Sequence, residues 1–156
     1  MNRRDFVKTG TAALAAIALP SETLTAAAAD TPNRGRIVLP INRNWRFSAQ
    51  RSQNDTAIDF DDSNLDQVTI PHTNKKLPWH SFDEKSYQFV SIYRRKFRLP
   101  PETRGRFVFV DFDGAMTAST VWINGQRLGE YKGGYTPFSF DLTPHINWDG
   151  DNLLAV

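Results

Sequence analysis

A chain of 156 residues with 40% hydrophobic and 23% charged residues is long enough for one domain with its own core. Its net charge of +2 is spread without a basic stripe, which argues against a nucleic-acid-binding surface. Cysteine is absent, which excludes disulfides and thiolate metal sites.

The N-terminus has the layout of an export signal. Arg3 and Arg4 precede an apolar stretch at residues 11–19, and small residues then offer a cleavage site between Ala29 and Asp30. The paired arginines are typical of the twin-arginine type. The apolar run is about half of the ~20 residues that a membrane span needs, which disfavours the alternative of an N-terminal anchor. We therefore expect a signal peptide at residues 1–29, and a periplasmic or secreted product that is free of the membrane after cleavage.

The predicted mature chain begins with a leader at residues 30–41, in which residues 37–39 are a candidate edge strand. Trp45 and Phe47 then alternate with Arg46, which predicts a strand with one buried face.

An acidic stretch at residues 59–64 invites a test for calcium. In an EF-hand loop beginning at Asp59, the sixth position would need Gly and the twelfth Glu. Asn64 and Ile70 occupy those positions. We therefore expect no metal there, and interpret the stretch as a capped turn that leads into a strand.

The predicted strand ends at Pro71 and is followed by a long loop that carries four candidate site residues: His72, Asn74, Trp79 and His80. Exposed aromatic rings stack on pyranose faces while polar groups bind hydroxyls, so this loop is a candidate sugar-facing surface. Two alternatives stay open. Trp79 would instead pack the loop onto the sheet, and His72 would instead make a structural hydrogen bond.

The next predicted strand spans residues 91–99. Tyr93, Arg95 and Phe97 share one of its faces by period-two alternation. Arg95 is then a cation on an apolar face, where an unpaired charge is costly. We expect it to pair with Asp111 or Asp113.

Residues 107–112 are almost all apolar, which predicts a strand buried on both faces. Asp111 and Asp113 would lie about 6.6 Å apart on one face of it. That distance overlaps the roughly 6.5–9.5 Å between the carboxyls of an inverting glycosidase. The other interpretation is structural: one carboxylate pairs with Arg95 and the other caps the turn at Gly114.

The remaining elements are short strands and turns. Asn124-Gly125 predicts a type I′ hairpin between strands at residues 119–123 and 126–131. Residues 138–142 alternate as a half-buried strand. Thr143-Pro144 predicts the N-cap and first position of a short helical turn. Residues 153–156 begin a last strand, which we expect to be incomplete and to leave a sheet edge exposed.

Three ordered runs carry a family resemblance: F-D-G-A, V-W-I-N-G-Q-R-L-G and G-G-Y-T-P-F-S-F-D-L. They resemble the N-terminal sugar-binding domain of family 2 glycoside hydrolases, the relatives of β-galactosidase, β-glucuronidase and β-mannosidase. The earlier N-x-x-W-x-F, P-H-T and Y-R-R-x-F segments agree with it. The resemblance covers residues 42–156 and implies an all-β sandwich of the jelly-roll type.

In that family the catalytic glutamates lie in a later barrel, and no residue here matches them. The resemblance therefore implies a non-catalytic domain of an exported β-galactosidase-like hydrolase, and it favours the structural interpretation of Asp111 and Asp113. No cofactor is implied. The implied partners are a carbohydrate substrate, downstream domains of the same enzyme, and a second copy if the enzyme is a homo-oligomer. The alternatives are a free-standing carbohydrate-binding module and a structural adhesion domain.

Overall fold

The computed structural model describes residues 35–80 and 83–156. The predicted signal peptide and its cleavage site lie outside the described residues. The chain divides into two units between Val38 and Leu39, and only residues 35–38 of the first are among the described residues. Residues 35–38 of the first unit are irregular. The edge strand predicted at residues 37–39 does not form, and Pro40 directly after it lacks the N–H that a strand ladder needs. Within the described ranges, no helix is long and apolar enough to span a membrane.

The unit Leu39–Val156 is built from short strands and single 3-10 turns. Its strands are β1 (Trp45–Ser48), β2 (Asp66–Val68), β3 (Ile92–Phe97), β4 (Phe109–Phe112), β5 (Ala118–Ile123), β6 (Gln126–Lys132), β7 (Phe138–Asp141) and β8 (Asn152–Ala155). Its 3-10 turns are Glu84–Ser86, Pro101–Thr103 and Thr143–His145.

The strands form two antiparallel sheets, one with the order β2-β1-β3-β8-β5-β6 and one with β4 and β7. The core lies between them and includes Trp45, Val121, Ile123 and Leu154 from the large sheet. Val110 faces them from β4. The all-β sandwich predicted from the sequence is confirmed.

β8 lies in the middle of the large sheet. It pairs with β3, where Leu154 faces Arg95, and with β5, where Leu154 faces Ile123. All four residues of β8 are buried. The expectation that this strand leaves an exposed sheet edge is therefore wrong, because the edge strands of the large sheet are β2 and β6.

The β5–β6 hairpin forms as predicted. Asn124 and Gly125 have φ values of 51° and 82°, the left-handed conformation that a type I′ turn needs. The Asn124 side chain also fixes β8, because its Oδ1 accepts a hydrogen bond from the Leu153 N–H at 2.8 Å. Its Nδ2 donates to Asn152 Oδ1 and to the His145 carbonyl, each at 2.8 Å.

The prediction that residues 107–112 are buried on both faces is wrong. Phe107 is 82% exposed and Phe109 57% exposed, whereas Val110 is buried. The reason is the position of β4 in the two-stranded sheet, whose inner face packs on the core while the face that carries Phe109 and Asp111 is exposed. The run of apolar residues thus consists of one buried face, which carries Val110, and one exposed face, which carries Phe107 and Phe109.

The 3-10 turn predicted at Thr143-Pro144 is present, but its N-cap position is Leu142. Asp141 Oδ1 accepts a hydrogen bond from the Thr143 N–H at 2.8 Å. Hydrogen bonds from the Thr143 hydroxyl and N–H lower the pKa of Asp141.

Candidate functional site

The candidate site is the long connection between β2 and β3, and His72 lies at its base. The imidazole packs on Phe47 with 4.8 Å between ring centroids. Its Nδ1 lies 3.0 Å from the Tyr93 hydroxyl. Burial raises the pKa of the Tyr93 hydroxyl. His72 therefore makes the structural hydrogen bond that was its alternative role, and its place beside a sugar stays a prediction.

Asn74 holds the two arms of the connection together. Its Nδ2 donates to the Tyr87 carbonyl at 3.2 Å. Next to it, the Thr73 hydroxyl donates to the Lys75 carbonyl at 2.9 Å. On the returning arm, Asp83 Oδ1 accepts from the Lys85 N–H at 3.0 Å, where the 3-10 turn begins. The base of the loop is therefore braced by its own polar groups.

Trp79 lies beyond this braced base and is 96% exposed. The alternative in which it packs the loop onto the sandwich is therefore wrong. His80 beside it is also exposed. In the described part of the chain, no hydrogen bond joins Trp79 or His80 to His72 or Asn74. The four predicted residues thus form a braced base and an exposed tip.

A second exposed aromatic residue was not singled out from the sequence. Tyr135 is 84% exposed, and its hydroxyl lies 4.0 Å from Sδ of Met116, which is 71% exposed. The loops before β5 and before β7 meet at this point. A Cβ on Gly114 would lie 3.3 Å from the Gly134 carbonyl oxygen. In the sequence, the G-G-Y segment at residues 133–135 marks this point. Its glycines allow the two loops to approach closely, and the tyrosine ring that follows them is exposed.

The buried cation of β3 is Arg94. Its side chain is fully buried on the outer face of the large sheet, and its Nε lies 3.1 Å from Asp62 Oδ2. It also donates to the carbonyls of Asp55, Ala57 and Phe60. The segment between β1 and β2 thus folds over the outer face of β3 and supplies the acceptors.

Arg95 lies on the face predicted for it, with Tyr93 and Phe97. The predicted carboxylate is missing, because Arg95 Nη1 donates to the Lys96 carbonyl and its Nε is buried without a partner. Asp111 and Asp113 are exposed. The Arg95–aspartate pair predicted from the sequence is therefore wrong.

The catalytic interpretation of Asp111 and Asp113 gains no support from this geometry. A general acid is kept protonated by burial in a walled pocket. Both carboxylates lie instead at the exposed surface. The strand β4 is present, but its face that carries Asp111 is exposed and not covered as predicted, so exposure is the reason that the pair lacks a catalytic environment.

The stretch at residues 59–64 forms a capped turn. Asp61 Oδ1 accepts a hydrogen bond from the Ser63 N–H at 3.0 Å. Hydrogen bonds from Ser63 lower the pKa of Asp61. Asp62, next in the chain, turns inward to Arg94. Asp61 therefore caps the turn, and Asp62 pairs with the buried Arg94 of β3.

Comparison with known proteins gives consistent matches. A family model described as "Glycosyl hydrolases family 2, sugar binding domain" matches residues 38–156. A β-galactosidase of Thermoanaerobacter pseudethanolicus is 42% identical over 123 residues, which cover 78% of this chain and 17% of that protein. A β-glucuronidase of Formosa agariphila is 29% identical over 129 residues, which cover 78% of this chain and 13% of that protein.

The solved structures agree. A calcium-binding mutant of β-glucuronidase 2 from Bacteroides uniformis has a TM-score of 0.65 and 34% identity, and the match covers 74% of this chain and 14% of that chain. A β-glucuronidase of Bifidobacterium dentium complexed with coumarin-3-O-glucuronide has a TM-score of 0.63 and 25% identity, over 79% of this chain and 20% of that chain. The chain thus spans 13–17% of the length of the two curated relatives named above.

Proposed function

The chain belongs to the sugar-binding domain family of the family 2 glycosyl hydrolases, and from this we propose that it is the N-terminal, non-catalytic domain of a larger β-galactosidase-like enzyme that hydrolyses O-glycosidic bonds. The observation that carries the proposal is the family match over residues 38–156, combined with relatives of which it forms only a small part. In this proposal the rest of the enzyme supplies the catalytic barrel.

The role of the domain follows from its two parts. The sandwich is a support for the connection between β2 and β3, which His72 anchors to Tyr93 of β3 and Asn74 braces internally through the Tyr87 carbonyl. Trp79 extends from that base with nearly all of its ring accessible. An indole ring held in this way is suited to stacking on a sugar or to lining a pocket in a neighbouring domain. The domain therefore packs against the barrel and walls one side of its pocket.

One observation also favours a second candidate, a free-standing carbohydrate-binding module. An exposed indole on a braced loop binds sugars equally well without an attached barrel. The two candidates differ in the coding sequence after residue 156. An open reading frame that continues into a barrel supports the enzyme domain, whereas a stop codon supports the module.

The experiment compares two purified proteins: the complete product of the reading frame that contains this chain, and residues 30–156 alone. Each is incubated with the nitrophenyl β-galactoside, β-glucuronide and β-mannoside. We expect the complete product to hydrolyse at least one substrate and residues 30–156 to hydrolyse none, because cleavage requires one protonated and one ionised carboxyl group across the sugar. Turnover by residues 30–156 that is lost in Asp111→Asn or Asp113→Asn contradicts the proposal.

Export is a separate part of the proposal. The arginine pair and the short apolar run support translocation through the twin-arginine route. The mature enzyme would then act in the periplasm or outside the cell, where polymeric or conjugated glycosides are accessible.

A further inference from the structure

Arg95 has an unusual environment for a cation. It is a half-buried residue on the inner face of β3, between Tyr93 and Phe97 and opposite the buried Leu154 of β8. Its Nε is buried and has no hydrogen-bond partner. No other described side chain has a buried nitrogen or oxygen without a hydrogen-bond partner. Because buried polar groups are nearly always hydrogen-bonded, this exception needs an explanation.

Arg94, the neighbouring residue, shows what the fold provides when an arginine is fully covered. Arg94 has one carboxylate and three carbonyl oxygens around its guanidinium. Arg95, by contrast, makes no ion pair within the described residues, and its one hydrogen bond goes to the next carbonyl along the chain. An unpaired guanidinium among apolar side chains is costly. The difference between the two residues is therefore in what covers them.

The inner face of β3 is less well covered than its outer face. On the outer face Ile92 and Arg94 are buried, whereas on the inner face Tyr93, Arg95 and Phe97 keep part of their surface exposed. The cause is the unequal size of the two sheets, since two strands face six. The inner face beside Arg95 is thus only partly covered by the described residues.

We propose that this segment comes from the remainder of the enzyme, beyond residue 156, and that it brings an aspartate or glutamate to Arg95. The inference rests on the proposed function, which supplies the additional chain. A carboxylate is the group that answers both unmet requirements, because it neutralises the charge and accepts two hydrogen bonds from the planar guanidinium. Arg95 is then a docking contact that fixes the orientation of this domain on its neighbour.

The test uses the complete enzyme with Arg95→Lys and a carbodiimide, which joins an amine to a carboxylate in contact with it. Arg98→Lys is the matched control, because Arg98 is an exposed arginine that pairs with Asp151 at 2.5 Å. Mass spectrometry identifies the joined peptides. We expect position 95 to be joined to an acidic residue beyond residue 156, and position 98 to Asp151.

Failure of this inference is distinct from failure of the proposed function, because the cross-link is read by mass and the function by hydrolysis. An enzyme that hydrolyses glycosides, and in which position 95 is joined to Asp111, to Asp113 or to nothing while position 98 is joined to Asp151, refutes the docking contact and leaves the function standing. A reading frame that ends at residue 156 refutes both.

Charge reversal provides a second measurement. Arg95→Glu places a carboxylate against the proposed carboxylate, whereas Arg95→Met only removes the attraction. We expect limited proteolysis between this domain and the rest of the enzyme to be about tenfold faster in Arg95→Glu, and accelerated less in Arg95→Met. Arg127→Glu, which reverses the charge of an exposed arginine, should cleave at the parent rate. Equal rates in Arg95→Glu and Arg127→Glu overturn the proposal.

Discussion

Arg94 and Asp62 are 32 residues apart in the sequence, and their Nε and Oδ2 atoms lie 3.1 Å apart beneath the segment between β1 and β2. The pair joins the centre of the large sheet to the segment between β1 and β2. Removal of one member of a buried pair leaves an uncompensated charge, which makes this contact a sensitive point of the fold.

Asp62→Ala should therefore destabilise the protein by about 3 kcal/mol, because Arg94 stays buried with its charge unpaired. Chemical denaturation measures the loss. Asp151→Ala is the matched control, since Asp151 pairs with Arg98 at the exposed surface, where a pair contributes roughly 0–1 kcal/mol. Equal losses in the two variants would show that the Arg94 pair is not a buried clamp.

Asp55 should make stability depend on pH on the acid side. Burial by itself would raise the pKa of Asp55, but the Arg51 side chain and the Ser52 N–H bond its carboxylate and outweigh that effect. The pKa of Asp55 is therefore lower in the folded state than the ~3.9 of an unfolded chain. The contribution of Asp55 to the free energy of unfolding is therefore complete above about pH 4, and it is lost as the pH falls through the folded-state pKa of Asp55.

The stability difference between the parent and Asp55→Asn should accordingly be largest near neutral pH and shrink below about pH 4. Urea unfolding at a series of pH values measures it. Arg51→Met should weaken the same dependence, because Arg51 donates two of the hydrogen bonds to Asp55. A stability difference that stays constant from neutral to acid pH would contradict the assignment.

The β5–β6 turn contributes to stability in two ways that can be tested separately: through the positive φ of Gly125 and through the side-chain hydrogen bonds of Asn124. Gly125→Ala should cost about 1 kcal/mol, through strain at positive φ alone, because no atom lies closer than 3.9 Å to the position of a Cβ there. Asn124→Ala should cost more, roughly 2–3 kcal/mol, since it also removes hydrogen bonds to β8 and to His145. Thermal unfolding ranks the two variants. The reverse order would show that the Asn124 amide contributes little.

Trp79→Ala tests the sugar-facing loop in the complete enzyme. The indole is almost wholly exposed, so its removal should leave the unfolding temperature unchanged. If the ring lines the pocket, KM should rise or kcat should fall by several-fold. Phe107→Ala is the control, because it truncates another exposed aromatic ring that lies outside the loop. Parent-like kinetics in Trp79→Ala would remove Trp79 from the site.

The export prediction is tested by replacement of Arg3 and Arg4 with lysine. If the pair directs translocation, the unprocessed precursor should accumulate in the cytoplasm and the processed protein should disappear from the periplasm or medium. Immunoblots of cell fractions measure both. A variant with a single conservative change, Lys8→Arg, should be exported like the parent. Normal processing of the double variant would exclude the twin-arginine route.

Local patterns in the sequence were sufficient for the elements that depend on neighbouring residues. Asn124-Gly125 specifies a turn because both residues tolerate positive φ. Thr143-Pro144 begins a 3-10 turn because the N–H that proline lacks would have no partner in the first turn of a helix. Alternation also placed Arg95 on the inner face of β3. These features require no knowledge of what lies on the other side of a strand.

The errors share a cause in tertiary structure. Period-two alternation shows that Arg94 and Arg95 face opposite ways, but the depth of each depends on the loop or sheet that covers it. A polar loop covers Arg94, and the small sheet leaves Arg95 partly open. Likewise, the apolar run at residues 107–112 does not reveal that one face of β4 is left uncovered by other parts of the domain. The same limit applies to the site residues. The role of Asn74 depends on its hydrogen bond to the Tyr87 carbonyl across the loop, which local sequence does not show.

The central position of β8 also affects how the chain folds during its synthesis on the ribosome. The strand groups β2-β1-β3 and β5-β6 are joined in the large sheet only through β8. Until residues 152–155 have left the exit tunnel, the nascent domain therefore consists of two partial sheets with open edges. Such edges pair readily with other chains, so the interval before β8 inserts is the period of greatest exposure to aggregation. Translation speed just after β8 should consequently influence yield more than translation speed near β1.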